Sequence, residues 1–256
     1  MNARSSANLA DISISESDGV RYLHFGTPWV QGAMRLAHPY ALELDYIKNM
    51  MAWWLFLRPV ATTCISQLGL GAAALSKFCL RRCAPARISV VELNPRVIQI
   101  AQDFFHFPVS HERLERFCCD AQTRLQQQPQ ASCQISQVDL YDAEARGPVH
   151  DSLDFYQVCR EVLTEPGILV VNLFGQHQSF TRSMRHLAQV FDGRLVSLRP
   201  TAEGNTVVLA FLGPVLQVAW PVLMQRAQQL EKKTGLPATG WVKWLKKQRP
   251  GAFFMV

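Results

Sequence analysis

Residues Gln67-Leu68-Gly69-Leu70-Gly71-Ala72-Ala73-Ala74-Leu75 are followed about twenty residues later by Val90-Val91-Glu92-Leu93-Asn94. The first stretch predicts the end of a strand, a tight glycine turn and the start of a helix, and the second predicts a strand that ends in a carboxylate. Glycine suits such a turn because it has no Cβ, which permits a sharp bend and close approach of a ligand. Together the stretches are typical of the first βαβ unit of a doubly wound nucleotide-binding fold.

The glycine turn differs from the common phosphate-binding patterns. Alanine replaces the third glycine of GxGxxG, and no Lys-Ser or Lys-Thr pair follows as in a phosphate loop. Because the turn is apolar, it favours the nucleoside end of a ligand over a pyrophosphate. We therefore predict that Gly69, Gly71 and Glu92 bind a nucleoside, with Glu92 accepting hydrogen bonds from the ribose hydroxyls. An ordinary βαβ unit without a ligand is the alternative.

Strands and helices alternate along most of the chain. Strands are predicted at 62–68, 87–93, 113–118, 133–138, 168–173, 194–199 and 206–212. Helices are predicted at 72–83, 95–104, 121–127, 151–163, 177–190, 215–234 and 238–247. This alternation predicts an α/β fold with a doubly wound, mostly parallel, Rossmann-like sheet that is covered on both faces.

The first sixty residues have a different pattern. Residues 1–18 are polar and Ser-rich and predict a disordered tail. Residues 20–36 predict a β-hairpin whose apolar side chains, among them Trp29 and Met34, are expected to be buried against the sheet rim or another subunit. Residues 41–57 predict a helix. The predicted organisation is a tail (1–18), a hairpin and helix (19–60), a nucleoside-binding domain (61–214) and basic C-terminal helices (215–256).

The composition excludes several classes of protein. Of the 256 residues, 48% are hydrophobic and 18% charged, which indicates a globular chain with a sizeable core. No apolar run is long enough to cross a bilayer, and we expect no signal peptide, no membrane and no metal. The seven cysteines form no CxxC pair, which favours free thiols in the cytoplasm. Much of the +6 charge lies at 232–249, where solvated helix faces are favoured over a nucleic-acid surface.

Acidic residues follow successive predicted strands. Glu92, Asp120, Asp139 and Asp142 each lie at or just after a strand end, and ligands of this fold bind at the carboxyl ends of the strands. Asp120 suits an adenine amino group, while Asp139 and Asp142 suit a cationic amine or a base that deprotonates it. Any one of them could instead cap a helix. Asp120 precedes a predicted helix, and capping that helix could be its only role.

Several motifs resemble those of the spermidine synthases, the polyamine aminopropyltransferases. The resemblance rests on VVELNP around Glu92, on Asp120-Ala121 and on Val138-Asp139-Leu140-Tyr141-Asp142. Val30-Gln31, the stretch from Glu43 to Tyr46, and the segments around Gly147 and Pro166 extend it over about residues 20–212, in the family's order. The chain is most similar to short bacterial members, which implies a fold of the S-adenosylmethionine-methyltransferase type.

The resemblance implies transfer of an aminopropyl group from decarboxylated S-adenosylmethionine to a polyamine by a homodimer. Asp139 would be the base that takes a proton from the attacking amine. The residues that would position this amine are Asp142, Tyr46 and Gln31. The residues that would bind the adenosyl donor are Gly69, Gly71, Glu92, Asp120 and Ala121.

One departure from the family leaves other functions open. The glycine loop of the family carries an aspartate that binds the aminopropyl ammonium of the donor, whereas the run from Leu68 to Leu75 contains no acid. Ordinary S-adenosylmethionine carries a carboxylate that such an acid would repel. The alternatives are therefore an S-adenosylmethionine-dependent methyltransferase and a catalytically degenerate homologue that binds nucleosides or a partner.

Overall fold

The computed structural model describes residues 11–141, 149–175 and 178–256. It begins with a three-stranded antiparallel sheet of β1 (Ile12–Ser17), β2 (Val20–Phe25) and β3 (Val30–Arg35). The predicted hairpin is confirmed as β2 and β3. The predicted disordered tail is wrong for residues 12–17, because Asp18 and Gly19 both have positive φ and form a tight turn that pairs β1 with β2.

The predicted helix at 41–57 is broken into two short pieces. Helix α1 spans Asp45–Asn49, and a 3₁₀ turn follows at Ala52–Leu55. A continuous helix would use the Met50 carbonyl to accept the N–H of Trp54. That N–H instead donates to the Met51 carbonyl at 3.1 Å, and the Met50 carbonyl accepts a hydrogen bond from the Gln137 side chain. A contact with the sheet therefore ends the helix.

The predicted doubly wound sheet is confirmed within the described residues. Its seven strands are β4 (Cys64–Leu68), β5 (Arg87–Glu92), β6 (Leu114–Cys118), β7 (Cys133–Val138), β8 (Leu163–Phe174), β9 (Leu195–Ser197) and β10 (Asn205–Leu212). Their order is β6-β5-β4-β7-β8-β10-β9, and β10 runs antiparallel to both of its neighbours. Since the chain moves outward from β4 through β5 and β6 and then returns to β7, the strand order reverses between β4 and β7.

Helices cover both faces of this sheet. They are α2 (Ala74–Arg82), α3 (Pro95–Phe105), α4 (Ala121–Gln126), α5 (Leu153–Glu161), α6 (Gln178–Val190), α7 (Trp220–Thr234) and α8 (Ala238–Gln248). One hydrophobic cluster joins α2, α3, α7 and α8 to the sheet, and another joins α4, α5 and α6 to its opposite face. Of the described helices, none is long and apolar enough to cross a membrane.

The C-terminal region packs against the segment around α1. The helix predicted at 215–234 starts only at Trp220, because residues 217–219 form β11 (Gln217–Ala219), which pairs with β12 (Phe253–Met255). Trp220 and Trp241 are buried, and the Trp241 indole N–H donates to the Asn49 side chain at 2.8 Å. These tryptophans therefore belong to the core.

Candidate active site

The strand ends that the sequence singles out lie side by side. In sheet order, the residues at the carboxyl edge are Asp120 after β6, Glu92 ending β5, Gly69 after β4, Asp139 after β7 and Asn172 near the end of β8. They flank the point between β4 and β7 where the strand order reverses. In open α/β sheets this is the crevice where ligands bind.

The glycine turn packs tightly against both of its neighbours. Gly69 has φ +97°, and a Cβ there would lie 2.2 Å from the Asp139 carbonyl oxygen. Gly71 has φ +50°, and its Cβ would lie 3.1 Å from the Gln31 carbonyl oxygen. Strand β3 closes over the same turn, since a Cβ on Gly32 would lie 2.6 Å from that of Ala72. The hairpin therefore covers the rim of its own sheet, and its residue Gln31 borders the turn.

The Glu92 carboxylate fixes the glycine turn. Its Oε2 accepts the Leu70 N–H at 3.1 Å, and its Oε1 accepts the Asn94 N–H at 2.8 Å. Burial raises the pKa of Glu92, while these backbone hydrogen bonds oppose the rise. A carboxylate has about four acceptor positions. Acceptor capacity therefore remains for a ligand hydroxyl at a site that is already held in place.

Asp120 has a structural role of its own. Its Oδ1 accepts the Thr123 N–H at 2.9 Å and so caps α4, while its Oδ2 lies 3.1 Å from His150 Nε2. Burial favours the neutral acid, but the bonds from Thr123 and the charge of His150 outweigh it, so the pKa of Asp120 lies below its usual range. Ala121 begins α4 and is buried. The capping alternative is therefore realised, and the carboxylate also meets a histidine that sequence reasoning missed.

Asp139 lies among hydrogen-bond donors from distant parts of the chain. Its Oδ1 accepts from Asn172 Nδ2 at 2.9 Å, and the Tyr46 hydroxyl also donates to the carboxylate. Asn172 is buried and its Oδ1 accepts from Asn205 Nδ2 at 3.1 Å. Burial raises the pKa of Asp139 against the effect of these bonds, and it raises the pKa of Tyr46 well above the usual value. The result is an oriented, poorly hydrated carboxylate.

Aromatic rings lie next to this carboxylate. The Tyr141 hydroxyl donates to the Asn172 carbonyl at 2.9 Å, and the Phe174 ring packs edge-on against Tyr141 and Trp29 at centroid distances of 6.5 and 5.9 Å. Met34 is buried as predicted, whereas Trp29 is 54% exposed in the single chain, so it is not buried against the rim of its own sheet. Trp29 lies at the hairpin tip, where its ring contacts that of Phe174.

The structure brings most of the predicted residues together. Tyr46 meets Asp139, and Gln31 borders Gly71. Asp142 lies outside the described residues. Asn172 could have been found as a polar residue in an otherwise apolar predicted strand. His150 carries no comparable signal, because it meets Asp120 from a separate segment thirty residues along the chain.

The chain is similar to known proteins both in sequence and in structure. No family model matches the chain. The chain is 30% identical over 247 residues to a polyamine aminopropyltransferase of Neisseria meningitidis, covering 95% of this chain and 92% of that protein. A probable spermidine synthase from Corynebacterium glutamicum has a similar structure, with TM-score 0.69, 17% identity and 94% and 91% of the two chains covered.

A methyltransferase shares the fold as well. Human methyltransferase-like protein 13, solved in complex with SAH, matches with TM-score 0.67 and 22% identity over 76% of this chain and 94% of that one. At this identity the likeness concerns the fold alone, whereas the Neisseria relative is similar in sequence over nearly the whole length. The chain therefore belongs to the polyamine aminopropyltransferase family.

Proposed function

We propose that this protein transfers an aminopropyl group from decarboxylated S-adenosylmethionine to an amine of a polyamine. The observation that carries the proposal is the Asp139 carboxylate, held by Tyr46 and Asn172 directly beside the Gly69 turn. The Neisseria relative is a polyamine aminopropyltransferase, and a spermidine synthase in complex with a transition-state analogue shares the fold.

In the proposed reaction, Asp139 acts as the base. An alkylammonium is unreactive until it loses a proton, and a carboxylate whose pKa is raised by burial accepts that proton more readily than an exposed one. The free amine attacks the carbon next to the sulfonium, a C–N bond forms, and the C–S bond breaks with its electron pair going to sulfur. Methylthioadenosine leaves. Because a sulfonium is a good leaving group, positioning supplies most of the remaining catalysis.

The two substrates would occupy the two sides of the strand crossover. For the adenosyl donor, Glu92 would accept from the ribose and Asp120 from the adenine amino group, while the remaining donor contacts would come from Gly69, Gly71 and Ala121. For the amine, Tyr46, Gln31 and Asp142 would position the attacking nitrogen. Aromatic rings attract cations, so Tyr141, which interacts with Asp139 and packs against Phe174, supports an ammonium ligand on this side.

Methyl transfer from S-adenosylmethionine is the second candidate. The run from Leu68 to Leu75, in which the family carries a donor-binding acid, contains none, and its residue Ala72 is buried against β3. A site without that acid would not repel the carboxylate of S-adenosylmethionine. The human methyltransferase of the same fold also favours this candidate.

Product analysis with each donor tests both candidates. The chain is incubated with putrescine or spermidine and either decarboxylated or ordinary S-adenosylmethionine, and the products are separated by mass spectrometry. An aminopropylated amine and methylthioadenosine support the proposal, whereas a methylated amine supports the second candidate. If calorimetry detects no binding of either donor or of methylthioadenosine, the chain is a degenerate homologue and both candidates fail.

We also propose that the chain forms a homodimer in the cytoplasm. Trp29, Val30 and Leu36 are exposed apolar residues at the start and end of β3, which supports pairing of this region with a second copy. All seven cysteines lie in the described ranges and are free thiols, which is typical of a reducing compartment. Light scattering at micromolar concentration tests the dimer, and a monomer would contradict it.

A further inference from the structure

Two glutamines lie where a parallel sheet is ordinarily apolar. Gln67 in β4 and Gln137 in β7 are paired in register at the centre of the sheet, and each is only 1% exposed. Strands that are covered on both faces are usually continuous runs of Val, Ile and Leu. A buried amide destabilises a fold unless its hydrogen bonds are made, so these two side chains need a specific reason to be there.

Their hydrogen bonds form one buried network. Gln67 Nε2 donates to Gln137 Oε1 at 2.9 Å, and the Ser76 hydroxyl of α2 donates to Gln67 Oε1 at 2.6 Å. Gln137 Nε2 donates to the Met50 carbonyl oxygen at 3.0 Å. The network therefore connects helix α2, both central strands and the residue that follows α1. Each glutamine lies two residues before a site residue, Gly69 or Asp139.

Met50 links the Gln137 side chain to the backbone of Tyr46. The Met50 N–H donates to the Tyr46 carbonyl at 2.9 Å, so the peptide groups on either side of Met50 connect Gln137 to the backbone of Tyr46. The same bond to the Met50 carbonyl ends α1 and turns the chain into the 3₁₀ segment. Tyr46 in turn donates from its side chain to Asp139, two residues beyond Gln137.

We propose that Gln137, itself held by Gln67, is a positioning residue that fixes helix α1 so that the Tyr46 hydroxyl reaches Asp139. This inference rests on the proposed function, because it assigns its purpose to the Asp139 base. A methionine at position 137 would fill similar space, but it could not donate to the Met50 carbonyl. Helix α1 would then lose the bond to the sheet at its C-terminal end, where the Met50 N–H also bonds to the Tyr46 carbonyl.

The test measures the Tyr46–Asp139 contact directly. The full chain is labelled with aspartate carrying ¹³C in its side-chain carboxyl, and the titration midpoint of Asp139 is followed by NMR, with Asp139→Asn used for assignment. Tyr46 and Tyr141 are the titratable side chains that interact with Asp139 among the described residues. Tyr46→Phe removes one hydrogen bond to the carboxylate and is expected to raise the midpoint by about 1 pH unit.

The expected result is non-additive. Gln137→Met should raise the midpoint by about half a unit or more, and Tyr46→Phe combined with Gln137→Met should go no higher than Tyr46→Phe alone. The matched control is Ser136→Ala, since Ser136 is the buried neighbour of Gln137 in β7 and its hydroxyl has no described partner. It should leave the midpoint unchanged.

Two outcomes separate this inference from the proposed function. A shift in Tyr46→Phe with none in Gln137→Met, or with fully additive shifts, would overturn the positioning role alone. If Gln137→Met does not fold, Gln67→Met replaces it, with a smaller expected shift of the Asp139 midpoint in the same direction. The absence of a shift in Gln67→Met would likewise overturn the positioning role. Absence of aminopropyl transfer by the unmodified chain, with the non-additive shifts present, would overturn only the proposed function.

Discussion

The proposed adenosyl side and the proposed amine side of the candidate site are built in different ways. On the adenosyl side, Glu92 and Asp120 accept hydrogen bonds from backbone N–H groups, and for Asn94 and Thr123 the donors lie two and three residues further along the chain. On the amine side, Asn172 lies 33 residues after Asp139, and Tyr46 comes from a helix before the central sheet begins. The first side is mainly local structure at strand ends, and the second depends on tertiary packing.

Asp139→Asn should have the largest effect on turnover, because it removes the base while keeping the shape. We expect the rate of aminopropyl transfer to fall by about two orders of magnitude or more, while the affinity for methylthioadenosine stays nearly unchanged. Steady-state kinetics and calorimetry on the same preparation measure both. Full activity in the variant would contradict the role of Asp139, and loss of methylthioadenosine binding would contradict the separation of the two sides.

The pH dependence of Asp139 supplies the control for this variant. Because burial raises its pKa above the value of about 3.9 for a free aspartate, activity should fall as the pH drops through the raised value. Between the two values the native state binds more protons than the unfolded chain, so this group lowers stability as the pH rises. Asp139→Asn removes that cost, and its melting temperature at pH 7 should equal or exceed that of the unmodified chain.

Gly69→Ala should destabilise the protein where the Gly69 turn packs against Asp139, between the two sides of the site. The new Cβ would meet the Asp139 carbonyl at 2.2 Å on a backbone with positive φ, and we expect a loss of at least about 3 kcal/mol of stability. Gly193→Ala is the matched control, since Gly193 also has positive φ but open space around it. Urea unfolding compares them, and equal losses would mean that the contact with Asp139 contributes nothing.

The same contrast explains how far sequence reasoning reached. Strand ends can be placed because apolar runs and glycine turns are local signals, and these signals put Glu92, Asp120 and Asp139 at or just after strand ends, as observed. Strand β1 was missed, although Asp18-Gly19 is a hairpin signal. The break after α1 depends on Gln137, nearly ninety residues away, and no local pattern around Met50 reports it. Contacts between distant segments, such as that of His150 with Asp120, cannot be predicted from a local sequence pattern either.

Glu92→Gln should weaken ligand binding without abolishing it. The amide keeps one carbonyl acceptor but loses the charge and one acceptor oxygen, so it can no longer receive both the Leu70 and Asn94 N–H groups. We expect the affinity for methylthioadenosine to fall about tenfold or more. Calorimetry checks this, with Glu115→Gln in β6 as a control for surface charge. Unchanged affinity would remove Glu92 from the site.

Asp120→Asn should have the smallest effect, because asparagine caps a helix nearly as well as aspartate. The Thr123 N–H can still be accepted, while the charge facing His150 is lost. We expect the affinity for methylthioadenosine to fall about threefold, in line with one weakened hydrogen bond to the adenine amino group. An unchanged affinity together with an unchanged melting temperature at pH 7 would leave Asp120 with its capping role alone.

The stability of the same variant at acidic pH is an independent measurement of the role of Asp120. Since the folded pKa of Asp120 is lowered, its contribution to stability is complete above the unfolded value of about 3.9 and is lost as the pH falls through the folded value. The variant should lack this loss, so the difference in stability between the two proteins should shrink as the solution is acidified.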